Sequence, residues 1–202
     1  MKSGNSLSEL ITSKLSPALR KLGFQRQGLT FHYTNNNNWG LISFQKSTYQ
    51  VSEITRFTVN IGVVCYRLLR FLTFPLKDKK PGIEDCHWRV RLGRLINGED
   101  EWWTMENGKL DEELTDYLLH SIEHLAVPEI NKYLDDSALR DLWLSGRSPS
   151  LTEFQRLLYL SVLLKEIGPI ALLEPTLNRL KQVSEGKRSA YTAEVHIRRL
   201  LE

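Results

Sequence analysis

The spacing of hydrophobic residues changes twice along this chain. Up to Leu22 they recur every three or four residues, which is the period of an amphipathic helix. Between Leu29 and Leu92 several short segments alternate hydrophobic and polar residues, which is the period of a strand with one buried face. After Leu110 the helical spacing returns. Because helices and strands occupy separate stretches, the sequence predicts an α+β fold.

The period also predicts the order of the elements. We expect an N-terminal helix that Pro17 kinks or divides, then an antiparallel sheet of four to five strands, then C-terminal helices packing on the sheet. The expected strands lie near residues 29–34, 41–49, 56–64, 85–93 and 101–105. We divide the chain into an α+β domain, residues 1–135, and a helical C-terminal extension, residues 136–202.

Composition limits the class of protein. Hydrophobic residues make up 41% of the 202 residues, which is enough to bury a core. No apolar run approaches the ~18 residues of a membrane span, and the first 15 residues lack the apolar centre of a signal peptide. The two cysteines, Cys65 and Cys86, lie in strand-like segments, where we expect buried free thiols. We therefore expect a cytoplasmic protein that does not enter the membrane.

The charge is distributed unevenly. Residues 1–110 hold 16 Lys and Arg against 9 Asp and Glu, a net charge of +7, whereas residues 111–202 hold 11 against 15, a net charge of −4. A basic first part fits an anionic partner, such as an acidic protein or a small anion. The same asymmetry fits attraction between the two parts of the chain, and the sequence alone leaves both interpretations open.

The sequence offers little support for catalysis. The stretch HSIEH, residues 120–124, matches the spacing of an inverted zinc-protease motif. However, helical geometry places His120, Glu123 and His124 opposite the apolar stripe of their helix, so we expect a solvated face and no metal site. The chain has no nucleophile elbow, no phosphate-binding glycine loop and no C-x-x-C pair. We expect no cofactor.

The stretch DCHWRVRLG, residues 85–93, contains the most informative polar pattern. His87, Arg89 and Arg91 alternate with hydrophobic residues, so one side of the strand is polar. Amides on neighbouring strands are expected on the same side, and two tryptophans are expected to frame it. The predicted binding residues are Gln45, Asn60, His87, Arg89, Arg91, Trp102 and Trp103. Arginine forks suit carboxylates and phosphates, but a solvated face, or one covered by the C-terminal helices, gives the same alternation.

Four segments resemble a known family when they are taken in series. They are LRKLGFQRQGLTF, ISFQKS, FTVNIGV and CHWRVRLG, and together they are similar to the bacterial family called domain of unknown function 4304. The similarity covers roughly residues 7–125. It implies a small α+β domain in which a helix precedes an antiparallel sheet, and it implies no reaction. The helical stretch after about residue 136 is not part of the resemblance.

These observations favour a non-enzymatic binding or interaction protein. Its basic sheet face would contact an acidic protein or a small anion. One alternative is weak nucleic-acid binding on a sheet platform that carries Arg89 and Arg91, although the acidic extension argues against a continuous basic surface. A second alternative is an enzyme that uses His87 as a general acid or base. The sequence does not give the oligomeric state.

Overall fold

We describe a computed structural model that covers residues 7–48, 54–72, 80–106 and 110–202.

The N-terminal helical segment contains one π-helical turn. Helix α1 (Leu7–Leu10) passes through the π turn (Ile11–Leu15) into α2 (Ser16–Lys21). The backbone N–H of Ser16 donates to the carbonyl of Ile11, five residues back, immediately before Pro17. The interruption expected at Pro17 is therefore confirmed, as a π turn.

Six antiparallel strands form one sheet. They are β1 (Gln25–Gln27), β2 (Thr30–Asn35), β3 (Asn38–Lys46), β4 (Ile54–Val64), β5 (Trp88–Arg91) and β6 (Trp103–Glu106). The order is β1-β2-β3-β4-β5, and β6 also pairs with β4. The predicted α+β class and antiparallel sheet are confirmed. The sheet has one strand more than the predicted four to five. The additional strand is β1, whose three residues are too few to show an alternation.

The long strand β4 determines where the remaining elements meet. Its second half, residues 60–63, pairs with β5, and its first four residues, Ile54 to Phe57, pair with β6. Strands β5 and β6 therefore lie end to end along the same edge of β4. The chain between them, which includes helix α4 (Leu92–Ile96), lies beside the middle of β4. The expected strand 85–93 is shorter than predicted because Leu92 begins this helix.

The turn between β2 and β3 explains part of the asparagine run. Asn36 and Asn37 have φ angles of 50° and 69°. Positive φ at both central residues is the geometry of a two-residue hairpin of type I′, which asparagine tolerates better than most residues. The run NNNN is therefore a tight hairpin, and β3 begins already at its last asparagine, Asn38.

The rest of the chain is mainly helical. Helix α3 (Tyr66–Leu72) follows β4, and a short 3₁₀ turn (Ile83–Asp85) precedes β5. The C-terminal helices are α5 (Glu112–Ser121), α6 (Val127–Tyr133), α7 (Asp136–Leu144), α8 (Glu153–Ile167), α9 (Leu173–Ser184) and α10 (Ala190–Leu201). In the described part of the chain, no helix has both the length and the hydropathy required to cross a membrane.

A second π turn, Ile122–Ala126, connects α5 to α6 just before Pro128. The turn adds a residue to the helical repeat, so the buried stripe continues from Leu118 and Ile122 to Ala126. Leu125, which a regular helix would place on this stripe, is 37% exposed. Leu125 therefore does not pack inward.

One hydrophobic cluster runs through the whole described chain. It joins Leu15 of the N-terminal segment, Ile61 of the sheet, Ile130 of α6 and Trp143 of α7. Helix α6 lies very close to the sheet at Gly40 of β3, where an added Cβ would lie 2.3 Å from Cγ2 of Ile130. A glycine is required there for α6 to reach the sheet. The C-terminal helices thus pack on the sheet domain, as predicted.

Candidate functional site

A cleft of about 670 Å³ opens on the polar side of the sheet. Its polar lining consists of Gln45, Asn60, Arg89, Arg91, Arg94 and Asp100. Ile83 and Val90 add apolar surface, and Pro149 and Ser150 close one side from the loop before α8. The structure therefore brings together four of the residues predicted from the alternation: Gln45, Asn60, Arg89 and Arg91.

The strand register explains why these side chains meet. Asn60 of β4 is paired with Arg91 of β5, and cross-strand partners point to the same face. Gln45 lies on β3 opposite Thr58, one diagonal step away from Asn60. The amide Nδ2 of Asn60 donates to Oε1 of Gln45 at 3.0 Å. The two amides form a fixed polar pair at one end of the cleft.

Asp100 holds two of the three arginines. Its carboxylate accepts hydrogen bonds from Arg91 and Arg94, each at 2.8 Å. The hydrogen bond from Arg94, reinforced by the charge of Arg91, lowers the pKa of Asp100 below its ordinary value. The guanidinium of Arg91 also lies 5.4 Å from the ring centre of Trp102. Arg91 is therefore held between a carboxylate and an aromatic ring.

Arg89 differs from its two neighbours. It is exposed and makes no hydrogen bond or ion pair with any residue in the described ranges. Three arginines and one aspartate line the cleft, so these groups carry a net charge of +2. The free fork of Arg89 can donate two parallel hydrogen bonds to a carboxylate or phosphate.

His87 does not belong to this cleft, and its predicted outward position is wrong. Only 5% of His87 is exposed. Its Nδ1 accepts a hydrogen bond from the backbone N–H of Cys65 at 3.1 Å, and the ring of Tyr159 from α8 covers it. Burial lowers the pKa of His87 to about 3. His87 precedes β5, in a region that α8 covers, and alternation within a strand cannot reveal a helix from a distant part of the chain.

The two tryptophans point in opposite directions because they are neighbours at the start of β6. Trp102 contacts Arg91 at the cleft. Trp103 is buried in the core with its ring centre 6.0 Å from that of Phe57. The expectation that both frame the site is wrong for Trp103, since adjacent strand residues face opposite sides.

Sequence reasoning missed Arg94 and Asp100. Both lie in the connection between β5 and β6, which the pairing of both strands with β4 brings beside the predicted face. The sequence carries one local signal: Arg91 and Arg94 are three residues apart and an aspartate follows in a turn. Only the pairing of β6 with β4 shows that this aspartate comes within reach of both arginines.

A separate polar cluster joins the sheet domain to the extension. Oδ1 of Asp136 accepts hydrogen bonds from Nδ2 of Asn38 at 2.7 Å and from the thiol of Cys65 at 3.1 Å, and its Oδ2 accepts one from Arg67 at 2.8 Å. Cys65 and Cys86 are free and buried, as predicted. Burial raises the pKa of both thiols, so neither has the thiolate character of a nucleophile.

His120 and His124 are exposed on the outer side of α5 and the following π turn, as their spacing predicts. Their ring centres are 4.3 Å apart. In the described ranges, no group of three His, Cys, Asp or Glu residues is arranged to hold a metal ion. A catalytic zinc centre needs three protein ligands.

We expect protein purified without added metal to contain no stoichiometric zinc. The physical reason is that His120 and His124 are exposed and that the residues described here offer them no third ligand. Elemental analysis of the wild type and of His120→Ala checks this. Stoichiometric zinc in the wild type that is lost in the variant would contradict the prediction.

Comparison with known proteins gives one result. The model of the family described as domain of unknown function, DUF4304, matches residues 15–132, more than half of the chain. No curated protein and no solved structure matches the chain. The match includes Gln45, Asn60, Arg89, Arg91, Arg94 and Asp100, whereas Pro149 and Ser150 lie beyond it. On this match over residues 15–132, the chain belongs to the DUF4304 family.

Proposed function

We propose that this chain is a non-enzymatic binding protein of the cytoplasm and that the cleft holds an anionic group. The group is a carboxylate or phosphate, carried either by an acidic protein or by a small anion. The observation that carries this proposal is the unpaired fork of Arg89 beside Arg91 and Arg94. The single carboxylate of Asp100 pairs with Arg91 and Arg94 and neutralises the three arginines only in part. The two free thiols, Cys65 and Cys86, support a reducing compartment.

The arrangement of the cleft supports selective binding rather than diffuse attraction of anions. Asp100 and Trp102 hold the guanidinium of Arg91 in one place before any ligand arrives. A fixed donor loses less conformational entropy on binding than a free side chain does. The hydrogen-bonded amides of Gln45 and Asn60 retain further donors and acceptors for neutral parts of the ligand.

The alternative functions have less support. The enzyme hypothesis depended on His87, which is buried, neutral and already hydrogen-bonded to Cys65. A nucleic-acid surface needs a long series of phosphate contacts, because each phosphate neutralised adds only about 0.7–0.9 to the salt slope. The cleft offers three arginines and also contains an acidic side chain, Asp100. We therefore keep weak nucleic-acid binding as the second candidate only.

Anion binding can be tested by calorimetric titration with separate probes. The probes are inorganic phosphate, citrate, an oligoglutamate peptide and a short single-stranded RNA. We expect Arg89→Gln to weaken binding by about tenfold or more, since one hydrogen bond to a charged group contributes about 1.5–3 kcal/mol. Arg188→Gln is the matched control, because Arg188 is exposed and far along the chain in the turn before α10.

The pattern across probes identifies the source of the anion. Binding of phosphate or citrate alone indicates a small anion, whereas preference for oligoglutamate indicates an acidic protein. Tight RNA binding with a steep salt dependence would favour the nucleic-acid candidate instead. If no probe binds, or if Arg89→Gln binds as well as Arg188→Gln does, the proposed function is wrong.

A further inference from the structure

A second cavity, of about 560 Å³, lies at the tip of the β2–β3 hairpin. It is separate from the cleft lined by Arg89, Arg91 and Arg94, which we call the arginine cleft. The asparagines of the hairpin form one side, and Tyr66 and Arg67 of α3 form another. Asn131 of α6, Asp135 before α7 and Ser137 of α7 complete the wall. The cavity is therefore built from elements of both the sheet domain and the helical extension.

The floor of this cavity is fixed by hydrogen bonds within the protein. Asn38 is buried, donates to the carbonyl of Leu134 at 2.8 Å and to Asp136 at 2.7 Å, and accepts from the backbone N–H of Tyr66 at 2.7 Å. Both carboxylate oxygens of Asp136 are also occupied. These groups are used by the fold and hold the surrounding wall in place.

The amides of the rim are available to a ligand. Asn35, Asn36, Asn37 and Asn131 are exposed, and their side chains make no hydrogen bond with any other residue in the described ranges. Hairpin geometry accounts for Asn36 and Asn37, whose φ angles are positive, and the floor accounts for Asn38. Neither reason applies to Asn35 or Asn131. The rim thus presents side chains that can both donate and accept hydrogen bonds.

The charges of this cavity cancel, in contrast to the arginine cleft. Arg67 is paired with Asp136 at 2.8 Å and with Glu166 at 3.1 Å, and Arg70 lies 3.7 Å from Glu166. Asp135 caps helix α7 by accepting the N–H of Ser137. No arginine here is as free as Arg89. The cavity therefore does not favour an anion.

We infer that this cavity binds a neutral polyhydroxylated molecule, such as a saccharide. Hydroxyl groups both donate and accept, which matches amides in the rim. Tyr66, which is 45% exposed, offers an aromatic surface to the apolar face of a sugar ring. The volume lies within the range of small-molecule sites, about 300–1,000 Å³. This inference does not depend on anion binding at the arginine cleft.

The test is an NMR titration of ¹⁵N-labelled full-length protein with glucose, galactose, mannose, N-acetylglucosamine and ribose, one at a time. We expect at least one sugar to shift side-chain amide signals of the hairpin asparagines and of Asn131. Asn131→Ala should weaken that binding about tenfold, the upper range for one hydrogen bond between neutral groups. Asn178→Ala, at an exposed position of α9, is the control and should bind as the wild type does.

The outcomes separate this inference from the first proposal. Sugar binding that Asn131→Ala weakens and Asn178→Ala preserves supports the inference, whatever Arg89→Gln does to anions. The inference is overturned if none of the five sugars shifts these signals. It is also overturned if Asn131→Ala binds the sugar unchanged, or if the shifted residues line the arginine cleft.

Discussion

A fragment that ends at residue 135 is expected to lose cooperative unfolding. The fragment keeps the sheet but loses α7 to α10, which contribute to the same hydrophobic cluster as the sheet. Helix α8 packs against α3, and its Tyr159 covers His87. Removal of α8 therefore exposes apolar surface that the full chain buries. Each Å² of that surface costs about 25 cal/mol of stability.

The polar cluster at the junction makes the loss larger. Without Asp136, the amide of Asn38 loses one of its acceptors and the guanidinium of Arg67 loses its closest partner. Of these two groups Asn38 is buried, and an unmade hydrogen bond of a buried polar group costs about 1–3 kcal/mol. The total stability of a domain is only about 5–15 kcal/mol. A loss of a few kcal/mol is therefore a large part of the stability of a domain.

Thermal unfolding followed by near-ultraviolet circular dichroism measures this effect. Residues 1–135 are compared with the full chain and with Asp136→Asn, which keeps the extension but removes the carboxylate. We expect the fragment to show no sharp transition and the point variant to show a sharp transition at reduced temperature. A fragment that unfolds as sharply as the full chain would show that the extension is an independent appendage.

The parts of the fold that depend on local spacing could be predicted from the sequence. Alternation places Arg89 and Arg91 on the same side of β5, because it reports directly on strand geometry. Pro17 marks an interruption of its helix, because proline has no backbone N–H to donate. Neither inference needs information from distant residues.

The misplacement of His87 and the omission of Asp100 share a physical cause, which is packing or pairing with another segment of the chain. His87 is covered by Tyr159, 72 positions later in the sequence, and Arg91 meets Asp100 because β5 and β6 both pair with β4. Leu125 turns outward for a local reason, because a π turn adds a residue to the helical repeat. Hydrophobic spacing within one segment contains none of this information.

Acidification from pH 7.5 to pH 4.5 is expected to destabilise the protein strongly, with the largest contributions from two of its three buried histidines, His87 and His196 rather than His32. Burial lowers the pKa of His87 to about 3 and that of His196 to about 4. Nδ1 of His87 accepts a hydrogen bond from Cys65, and Nε2 of His196 shares one with Ser161 at 2.8 Å. A proton on Nδ1 of His87 would break its bond, and a charge on either ring would be buried.

The direction of the pH effect on stability follows from the histidine pKa values in the folded and unfolded states. In the unfolded chain both histidines have pKa values near 6.5, above their values in the folded protein. As the pH falls below 6.5, the unfolded state therefore takes up protons first and gains stability. The stabilisation is complete above about pH 6.5 and is lost as the pH approaches the folded pKa values. At pH 4.5 each histidine should cost roughly 2–3 kcal/mol.

Two substitutions assign the loss to these residues. Asn at position 87 keeps an acceptor near Nδ1 for the N–H of Cys65, and Gln at position 196 keeps a polar group near Nε2 for Ser161. The double variant His87→Asn, His196→Gln is expected to start from a lower stability at pH 7.5 but to lose much less of it by pH 4.5. Denaturant unfolding at both pH values provides the free energies of unfolding.

The lowered pKa values of Asp100 and Glu153 stabilise the folded protein, and this stabilisation is lost only below the ordinary pKa values of these groups, 3.8 and 4.5. An equal loss in the wild type and the double variant would therefore place the acid sensitivity elsewhere in the protein.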